Sequence, residues 1–401
     1  MTNVEILQQL AAPADTKLVL LVLDGLGGLP GEESGRTELE SARTPNLDRL
    51  ARQHSVGLAT PLIPGVTPGS APAHLALFGY DAFRYPIGRG VLSAVGVGLD
   101  LQRADVATRV NFATMQDGVI TDRRAGRIPT EEAERLCRAL SAIKIEGVDI
   151  TVKAEMQHRA VIVWRGEGLS AAVSDTDPQK TGAAPLPARA LEPGAQRMAD
   201  IVNRFVAEAN RLLAGEPRAN TILLRGFGRL PDIPKITDLY RLRAAVIAAY
   251  PMYRGLAKLV GMEELPAGET FKDQLESLKR AWHDYDYFFL HVKGTDAAGE
   301  DGDFARKAAV IEEVDGLLSE LLALSPDVLV ITGDHSTPSR LKAHSWHPVP
   351  VLLASRWARP NPWIEGFGES DAVRGSLGPI RSQDLMGLML AHGLRLQKFG
   401  A

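Results

Sequence analysis

Cysteine is almost absent from this sequence. Cys137 is the single cysteine among 401 residues, so no disulfide can form within the chain. A chain without disulfides suits a reducing compartment, and we expect a cytoplasmic location. An excess of charge is missing as well. The formal net charge of −4 gives no electrostatic basis for binding nucleic acid or an anionic membrane, so we expect neither partner.

Long apolar runs are also missing. The longest run near the N-terminus, Leu18–Leu23, is far too short to cross a bilayer, and no basic segment followed by a long apolar run indicates a secretion signal. Hydrophobic residues make up 45% of the chain and charged residues 23%, which is typical of a globular protein. Because 401 residues are too many for one hydrophobic core, we expect two domains.

Three short apolar runs are each followed closely by polar residues. They are Leu18–Leu23, before Asp24; 287–292, before Asp296; and 328–331, before Asp334 and His335. Runs of this length and composition predict buried parallel strands. Helical patterns separate them, one of them over residues 304–324, and Thr44-Pro45 predicts a helix start with Thr44 as the N-cap. The alternation predicts a doubly wound α/β sheet with helices on both faces.

The middle of the chain has a different texture. Short strand-like segments separated by turns precede an amphipathic helix over 196–213, and the strand segments are 109–114, 119–122, 149–153 and 160–164. We therefore expect a discontinuous catalytic domain of residues 1–90 and 241–401, interrupted by a smaller α/β domain of residues 91–240.

Potential metal ligands follow the predicted strands. Ligands of open α/β sheets collect at the carboxyl edge of the strands. The candidates at this edge are Asp24, Asp296, Glu300, Asp334, His335 and His344. Carboxylates mixed with imidazoles suit Mn²⁺, Zn²⁺ or Mg²⁺, and two such ions can clamp the attacking and leaving oxygens of a phosphoryl displacement. Each acid alone could equally be a turn or cap residue, and His335 alone a buried core histidine; the set favours a metal site.

Ser70 is the candidate nucleophile. It follows a loop rich in Pro and Gly and precedes a predicted helix through His74 and Leu77. Coordination to a metal can lower the pKa of a serine hydroxyl enough for attack on phosphorus, and a helix start offers N–H groups to phosphate oxygens. A serine in this position taken alone is as well explained as a helix cap.

Many segments match the motifs of a known family, in the same order. The matching stretches are Leu23-Asp-Gly-Leu-Gly-Gly28, Thr44-Pro-Asn-Leu-Asp-Arg-Leu50, Pro68-Gly-Ser-Ala-Pro-Ala-His74, Leu77-Phe-Gly-Tyr80, Gly88-Arg-Gly90, Arg109-Val-Asn-Phe112, Ala125-Gly-Arg-Ile128, Ser174-Asp-Thr-Asp-Pro178, His291-Val-Lys-Gly-Thr-Asp296, Thr332-Gly-Asp-His-Ser-Thr-Pro338, and Lys342-Ala-His-Ser345 followed by Pro348-Val-Pro350. They resemble the alkaline phosphatase superfamily and, within it, the archaeal-type cofactor-independent phosphoglycerate mutases. The series extends into the middle domain, which generic phosphatases would not share.

The resemblance implies an isomerase of glycolysis and gluconeogenesis that interconverts 3-phosphoglycerate and 2-phosphoglycerate. It implies a phosphoserine intermediate on Ser70, no bisphosphoglycerate, and two divalent ions, with Mn²⁺ expected first and Mg²⁺, Zn²⁺ or Co²⁺ as alternatives. One ion would be held by Ser70, Asp24, Asp334 and His335, and the other by Asp296 and His344. A metal-dependent phosphomonoesterase or related hydrolase on the same scaffold is the alternative function, and a non-catalytic binding protein is a third.

One residue departs from the family pattern. The pattern after Asp296 is Asp-x-x-x-His, whereas this chain has Glu300 at the fourth position. A carboxylate there can still bind a divalent ion and would favour harder ions. His344, rather than His347, fits the pattern Ala-His-x-x-x-Pro-Val-Pro. For substrate binding, the candidates are Arg159 and Arg225 in the smaller domain, together with Lys293.

Overall fold

The computed structural model describes residues 3–32 and 35–400. They divide into two compact units. Unit 1 comprises Met1–Tyr85, Ile233–Tyr250 and Ala257–Ala401, and unit 2 comprises Pro86–Asp232 and Pro251–Leu256. From the sequence, residues 86–90 and 251–256 were expected in the catalytic domain, and residues 233–240 in the inserted one.

The secondary structure alternates between strands and helices along the chain. The strands are β1 (Leu18–Leu23), β2 (Ser55–Thr60), β3 (Val106–Gln116), β4 (Val119–Asp122), β5 (Asp149–Met156), β6 (Arg159–Arg165), β7 (Thr221–Gly228), β8 (Ala244–Ala248), β9 (Glu263–Glu264), β10 (Tyr287–Val292), β11 (Val328–Thr332), β12 (Val349–Ser355) and β13 (Gly378–Arg381). The helices are α1 (Asn3–Leu10), α2 (Glu38–Ser41), α3 (Pro45–Gln53), α4 (Ser70–Leu77), α5 (Arg89–Gly96), α6 (Thr130–Leu140), α7 (Gln196–Leu213), α8 (Ile236–Tyr240), α9 (Pro251–Leu259), α10 (Phe271–Ala281), α11 (Gly294–Asp301), α12 (Phe304–Leu322), α13 (Glu369–Ala372) and α14 (Leu385–His392). In the part of the chain that the structure describes, no helix combines the length and the apolar character needed to cross a membrane.

Unit 1 is built on an eight-stranded, mostly parallel sheet. Its strand order is β13-β2-β12-β11-β1-β10-β8-β9. Only β12 is antiparallel to its neighbours, β11 and β2. The predicted α/β class with a mostly parallel, doubly wound sheet is therefore confirmed.

The central strand β1 explains why the sheet brings polar loops together. All six of its residues are fully buried, which is expected of a parallel strand covered on both faces. It lies parallel to both neighbours, with Leu23 opposite Val292 of β10 and Val22 opposite Thr332 of β11. The three strands thus end at the same level, so the residues that follow them meet at one edge of the sheet.

Unit 2 has its own antiparallel sheet and core. Strands β4, β3, β6 and β5 are neighbours in that order, and β7 also pairs with β3. Each of these pairings is antiparallel. Apolar side chains of α6 and α7 pack with those of the sheet in one core that includes Trp164 and Phe205, whose rings meet edge to face at 5.1 Å. This unit therefore buries its own apolar surface.

The start of α3 is held by a distant side chain. Thr44 occupies the N-cap position, but its side chain makes no capping hydrogen bond. The carboxylate of Asp315, on α12, accepts hydrogen bonds instead: from Leu47 N at 2.7 Å and from Asn46 N at 3.3 Å. The predicted N-cap position of Thr44 is therefore confirmed, but the side chain that accepts from these donors belongs to Asp315 of another helix.

We expect Asp315→Ala to lower the free energy of unfolding by about 1–3 kcal/mol, since buried N–H groups would lose their acceptor. Asp315→Asn keeps one acceptor oxygen and should cost less. Thr44→Val, which removes only the hydroxyl, should cost less than Asp315→Ala. Denaturant unfolding followed by circular dichroism would measure all three changes. An effect of Thr44→Val as large as that of Asp315→Ala would contradict this account of the cap.

Candidate metal centre

Two groups of side chains that could hold a metal ion lie at the carboxyl edge of the unit 1 sheet. One consists of Asp24, Asp334 and His335, and the other of Asp296, His335 and His344. Within each group, one ligand atom per residue lies within 4.8 Å of the others. His335 belongs to both groups.

The first group is fully buried and lies beside Ser70. His335 Nε2 is 3.2 Å from Asp334 Oδ2 and 3.5 Å from Asp24 Oδ1. The hydroxyl oxygen of Ser70 is 3.3 Å from the same nitrogen. Ser70 is the first residue of α4, so the helix start places its hydroxyl next to these ligand atoms.

The second group is more open. His344 Nε2 is 3.6 Å from Asp296 Oδ1, and the rings of His344 and His335 stack with centroids 3.7 Å apart. His344 Nδ1 lies 3.0 Å from the carbonyl oxygen of Pro68. Because a carbonyl only accepts hydrogen bonds, Nδ1 carries a proton, and Nε2 is the ring nitrogen that faces Asp296.

Two further candidates lie outside these groups. Glu300 is on α11 one turn after Asp296, but its residue is exposed and it belongs to neither group. His347 stacks on Trp346 with centroids 4.9 Å apart, and its Nδ1 is 3.0 Å from Ser345 Oγ. The structure thus places His344, and not His347, in a group of candidate metal ligands. The family pattern in the sequence also favoured His344.

Lys293 connects the two groups. Its ammonium donates a hydrogen bond to Asp24 Oδ2 at 2.8 Å and another to Asp296 Oδ2. Burial alone would raise the pKa of Asp24, but Lys293, with smaller contributions from His291 and His335, holds it well below its ordinary value. Burial, against the attraction of Asp334 and Asp24, lowers the pKa of His335, which favours a neutral imidazole. At the first group, these shifts favour an ionised Asp24 beside a neutral His335.

Two buried histidines support these carboxylates from behind. His74 Nδ1 is 3.2 Å from Asp334 Oδ2 and 2.8 Å from the carbonyl oxygen of Ser70. His291 Nε2 is 3.2 Å from Asp24 Oδ2. Burial is the largest single influence and lowers the pKa of His74, but the charge and hydrogen bond of Asp334, the charge of Asp24 and the Ser70 carbonyl together raise it overall. These histidines orient one acid from each of two strands.

Guanidinium groups gather on unit 2. Burial, and then the charges of Arg225, Arg109 and Arg159, lower the pKa of Arg89. Arg109 of β3 and Arg225 of β7 are paired across the two strands. Arg159 is the first residue of β6, the other strand that pairs with β3. The cluster therefore forms on three adjacent strands and on the start of α5, where Arg89 lies.

Two of these arginines also have acidic partners. Arg109 Nη2 donates to Glu155 Oε2 at 3.1 Å, and Arg225 Nη1 is 3.5 Å from Asp177 Oδ2. The cluster nevertheless keeps enough positive charge to be a candidate anion site.

Several polar residues near these sites were missed from the sequence. They are His74, His291 and Thr337 in unit 1, and Arg89 and Arg109 in unit 2. Each lies inside a stretch that resembles a family motif, such as Gly88-Arg-Gly90. Its place in such a stretch was the sequence feature from which a role could have been inferred.

Comparison with known proteins agrees with the resemblance. A family model described as 2,3-bisphosphoglycerate-independent phosphoglycerate mutase matches residues 51–219. A protein of Thermus thermophilus, described as a probable 2,3-bisphosphoglycerate-independent phosphoglycerate mutase, is 52% identical over 402 residues, which cover 99% of each chain. A protein of Thermotoga maritima with the same description is 49% identical over 399 residues, again 99% of each chain.

Solved structures have the same fold over nearly the whole chain. The PH0037 protein from Pyrococcus horikoshii gives a TM-score of 0.83 at 33% identity, covering 97% of this chain and 100% of that one. The cofactor-independent phosphoglycerate mutase from Thermoplasma acidophilum gives 0.69 at 31% identity, covering 94% of this chain and 100% of that one. Because full-length relatives share about half of its residues, the chain belongs to the 2,3-bisphosphoglycerate-independent phosphoglycerate mutases, which are isomerases.

Proposed function

We propose that this chain interconverts 3-phosphoglycerate and 2-phosphoglycerate through a phosphoserine on Ser70, with two divalent cations at the unit 1 centre. The observation that carries the proposal is the position of the Ser70 hydroxyl, 3.3 Å from His335 Nε2 and thus beside the group of Asp24, Asp334 and His335. A serine that was only a helix cap would not need to lie beside buried ligand atoms. Cytoplasmic location stays a prediction.

The residues present fit divalent cations. Each group combines carboxylate oxygens with imidazole nitrogens at short mutual distances, and this donor set suits Mn²⁺ first, with Mg²⁺, Zn²⁺ or Co²⁺ as alternatives. Bound there, such ions would lower the pKa of the Ser70 hydroxyl and offset the charge of the phosphoryl oxygens. Asp24, Asp334 and His335 would hold one ion, while Asp296 and His344, with Glu300 as a third candidate, would hold the other.

The chain supplies the nucleophile and the groups that hold the phosphoryl oxygens. Ser70 Oγ would lose its proton and attack phosphorus, the bond from phosphorus to the 3-oxygen of glycerate would break, and that oxygen would take up a proton in exchange, so the step consumes and releases no net proton. Gly69, the N-cap of α4, has no side chain to occupy the N–H groups of the first turn, so these donors suit phosphoryl oxygens. After glycerate turns, its 2-hydroxyl would attack phosphoserine and regenerate the Ser70 hydroxyl. No bisphosphoglycerate is needed, because the group stays on the enzyme meanwhile.

Substrate anions need positive partners, for which we propose the unit 2 cluster. Arg89, Arg159 and Arg225 would bind the carboxylate and phosphate of phosphoglycerate, because guanidinium forks match both groups in two-pronged hydrogen bonds. Arg109 contributes mainly through its charge, since Glu155 already accepts one of its hydrogen bonds. In unit 1, Lys293 remains the candidate for a phosphoryl oxygen because its ammonium lies between the two ligand groups.

Removal of the Ser70 hydroxyl should abolish turnover. Wild-type protein quenched rapidly after mixing with labelled 3-phosphoglycerate should carry the label on the peptide that contains Ser70, as mass mapping would show. Ser70→Ala should carry none and should form no 2-phosphoglycerate, since no other group in the proposal accepts the phosphoryl group. Near-normal mutase activity of Ser70→Ala would exclude the phosphoserine route. A wild type that releases only inorganic phosphate would favour the hydrolase.

Metal binding should depend on His344 and, to a smaller extent, on Glu300. Calorimetric titration of chelator-treated protein with Mn²⁺ should show two sites. His344→Ala should weaken one of them by at least the roughly 10–100-fold that loss of a supporting residue costs. Glu300→Ala should weaken the same site less, because the side chain is exposed and must turn inward, whereas Glu300→His should raise the preference for Zn²⁺.

The matched control is His347→Ala, since His347 lies outside both groups and should leave both affinities unchanged. Equal effects of His344→Ala and His347→Ala would contradict the assigned second site. If Glu300→Ala leaves Mn²⁺ binding intact, Glu300 is a solvated surface residue.

Arg89 should act in substrate binding. Arg89→Lys keeps the charge but loses the planar fork, so KM for 3-phosphoglycerate should rise about tenfold with kcat much less affected. Steady-state kinetics would measure this split. Arg103→Lys is the control, because Arg103 is an exposed arginine of the same unit that pairs with Asp232 at 3.2 Å. A normal KM for Arg89→Lys would remove Arg89 from the substrate site.

A further inference from the structure

Thr337 occupies a space that two glycines leave open at the centre of unit 1. A Cβ atom at Gly25 would clash with the Thr337 side chain, and one at Gly299 would clash with the Thr337 carbonyl oxygen. Gly25 also has a φ of +63°, a conformation that side-chain-bearing residues rarely adopt. Glycine at both positions therefore allows Thr337 to pack directly against the backbone of Gly25 and Gly299.

The backbone of Thr337 is fixed on both sides. Its N–H lies 3.2 Å from the carbonyl oxygen of Gly25 and 3.0 Å from that of Gly27. Its own carbonyl oxygen accepts a hydrogen bond of 2.9 Å from the ammonium of Lys307, a fully buried side chain. Lys307 also donates to the carbonyl oxygen of Gly27 at 2.9 Å. Lys307 thus joins the loop that carries Asp24 to the loop that carries His335.

The hydroxyl of Thr337 has two polar neighbours and only one proton. Its oxygen is 2.6 Å from Asp296 Oδ1 and 3.0 Å from His335 Nδ1. Asp296 also accepts a hydrogen bond from the ammonium of Lys293 through its other oxygen, and its contact is the shorter of the two that the hydroxyl makes. The hydroxyl proton therefore goes to Asp296. The remaining contact requires His335 Nδ1 to be the donor and the hydroxyl oxygen to be the acceptor.

We propose that Thr337 is a positioning residue that sets the tautomer of His335. With the ring proton on Nδ1, the lone pair of Nε2 points to the space that it shares with Asp24 and Asp334, at 3.5 and 3.2 Å from their oxygens. Three acceptors without a proton among them form a site that a cation completes. A histidine that binds a metal commonly donates its other N–H to an oxygen. Here that oxygen is the hydroxyl of Thr337, which in turn donates a hydrogen bond to Asp296.

The tautomer also assigns His335 to one group. Since Nδ1 is engaged with Thr337, His335 serves the group of Asp24 and Asp334 through Nε2 and has no free lone pair for the second group. Among the described residues, the second group then retains Asp296 and His344. With two ligands left in the second group, a third ligand from Glu300 would matter most at that site. This division of the ligands rests on the proposed cation binding.

The test is the tautomer of His335 in metal-free protein. Protein labelled with ¹⁵N in histidine and treated with a chelator would be examined by long-range ¹H–¹⁵N correlation, with the His335 signals identified by their loss in His335→Gln. We expect the Nδ1–H form in wild type and in Thr337→Ser, which keeps the hydroxyl. In Thr337→Val the proton should shift to Nε2, where the oxygens of Asp334 and Asp24 can accept it. His344 should stay in the Nδ1–H form throughout, because the carbonyl of Pro68 requires it.

Mn²⁺ affinity provides the second measurement. Thr337→Val should bind Mn²⁺ roughly 10–100-fold more weakly at one site, and Thr337→Ser should stay close to wild type. A wild-type His335 that is protonated on Nε2, or on both nitrogens, would overturn the inference, and this result stands even if Thr337→Val does not fold. Unchanged tautomer and affinity in Thr337→Val would overturn it as well. Wild-type protein with the expected tautomer but without mutase activity would refute the proposed function alone.

Discussion

Three carboxylates buried at one edge of a parallel sheet are the constraint on which the unit 1 centre depends. Asp24 directly follows β1, Asp334 comes two residues after the end of β11, and Asp296 follows β10 on the first turn of α11, so the common register of the strands brings the acids together. Burying ionised groups costs several kcal/mol or more unless positive charge and hydrogen bonds compensate. Lys293 supplies part of this compensation between Asp24 and Asp296. Bound cations would add further positive charge to compensate the same carboxylates.

Strands of the sheet could be predicted where both of their faces are buried, because such strands have nearly continuous apolar sequences. The run Leu18–Leu23 is apolar throughout, Tyr287–Val292 is apolar apart from His291, and both strands have the expected bounds. Strand β2, with the sequence Ser-Val-Gly-Leu-Ala-Thr, has no such run and was missed. The antiparallel direction of β12 could not be predicted, because hydrophobicity identifies a strand but not its partner. The side chain that accepts hydrogen bonds from the start of α3 was missed for a similar reason, since Asp315 lies 268 residues beyond Leu47.

The proximity of the site residues could be predicted only where they follow strands directly. Asp24, Asp334 and His335 meet because parallel strands end at one level, and chain position carries that information. The role suggested for Thr337 depends instead on which atoms its hydroxyl faces, and no sequence pattern shows this. Glu300 is the converse case: its spacing from Asp296 predicted a ligand, yet its side chain lies at the surface. Spacing along a helix gives the face of a residue, whereas the rotamer decides where a long side chain ends.

The loop before α4 couples the nucleophile to both ligand groups. Ser70 faces His335 through its hydroxyl and holds His74 through its carbonyl oxygen, while Pro68 accepts a hydrogen bond from His344. A movement of this loop would therefore disturb ligands of both proposed ions together with the attacking oxygen. Phosphoryl transfer needs the nucleophile and the stabilising charges to keep their relative positions within a fraction of an ångström. In this chain, contacts of Pro68 and Ser70 with three histidines link the positions of the proposed nucleophile and of the proposed ligands.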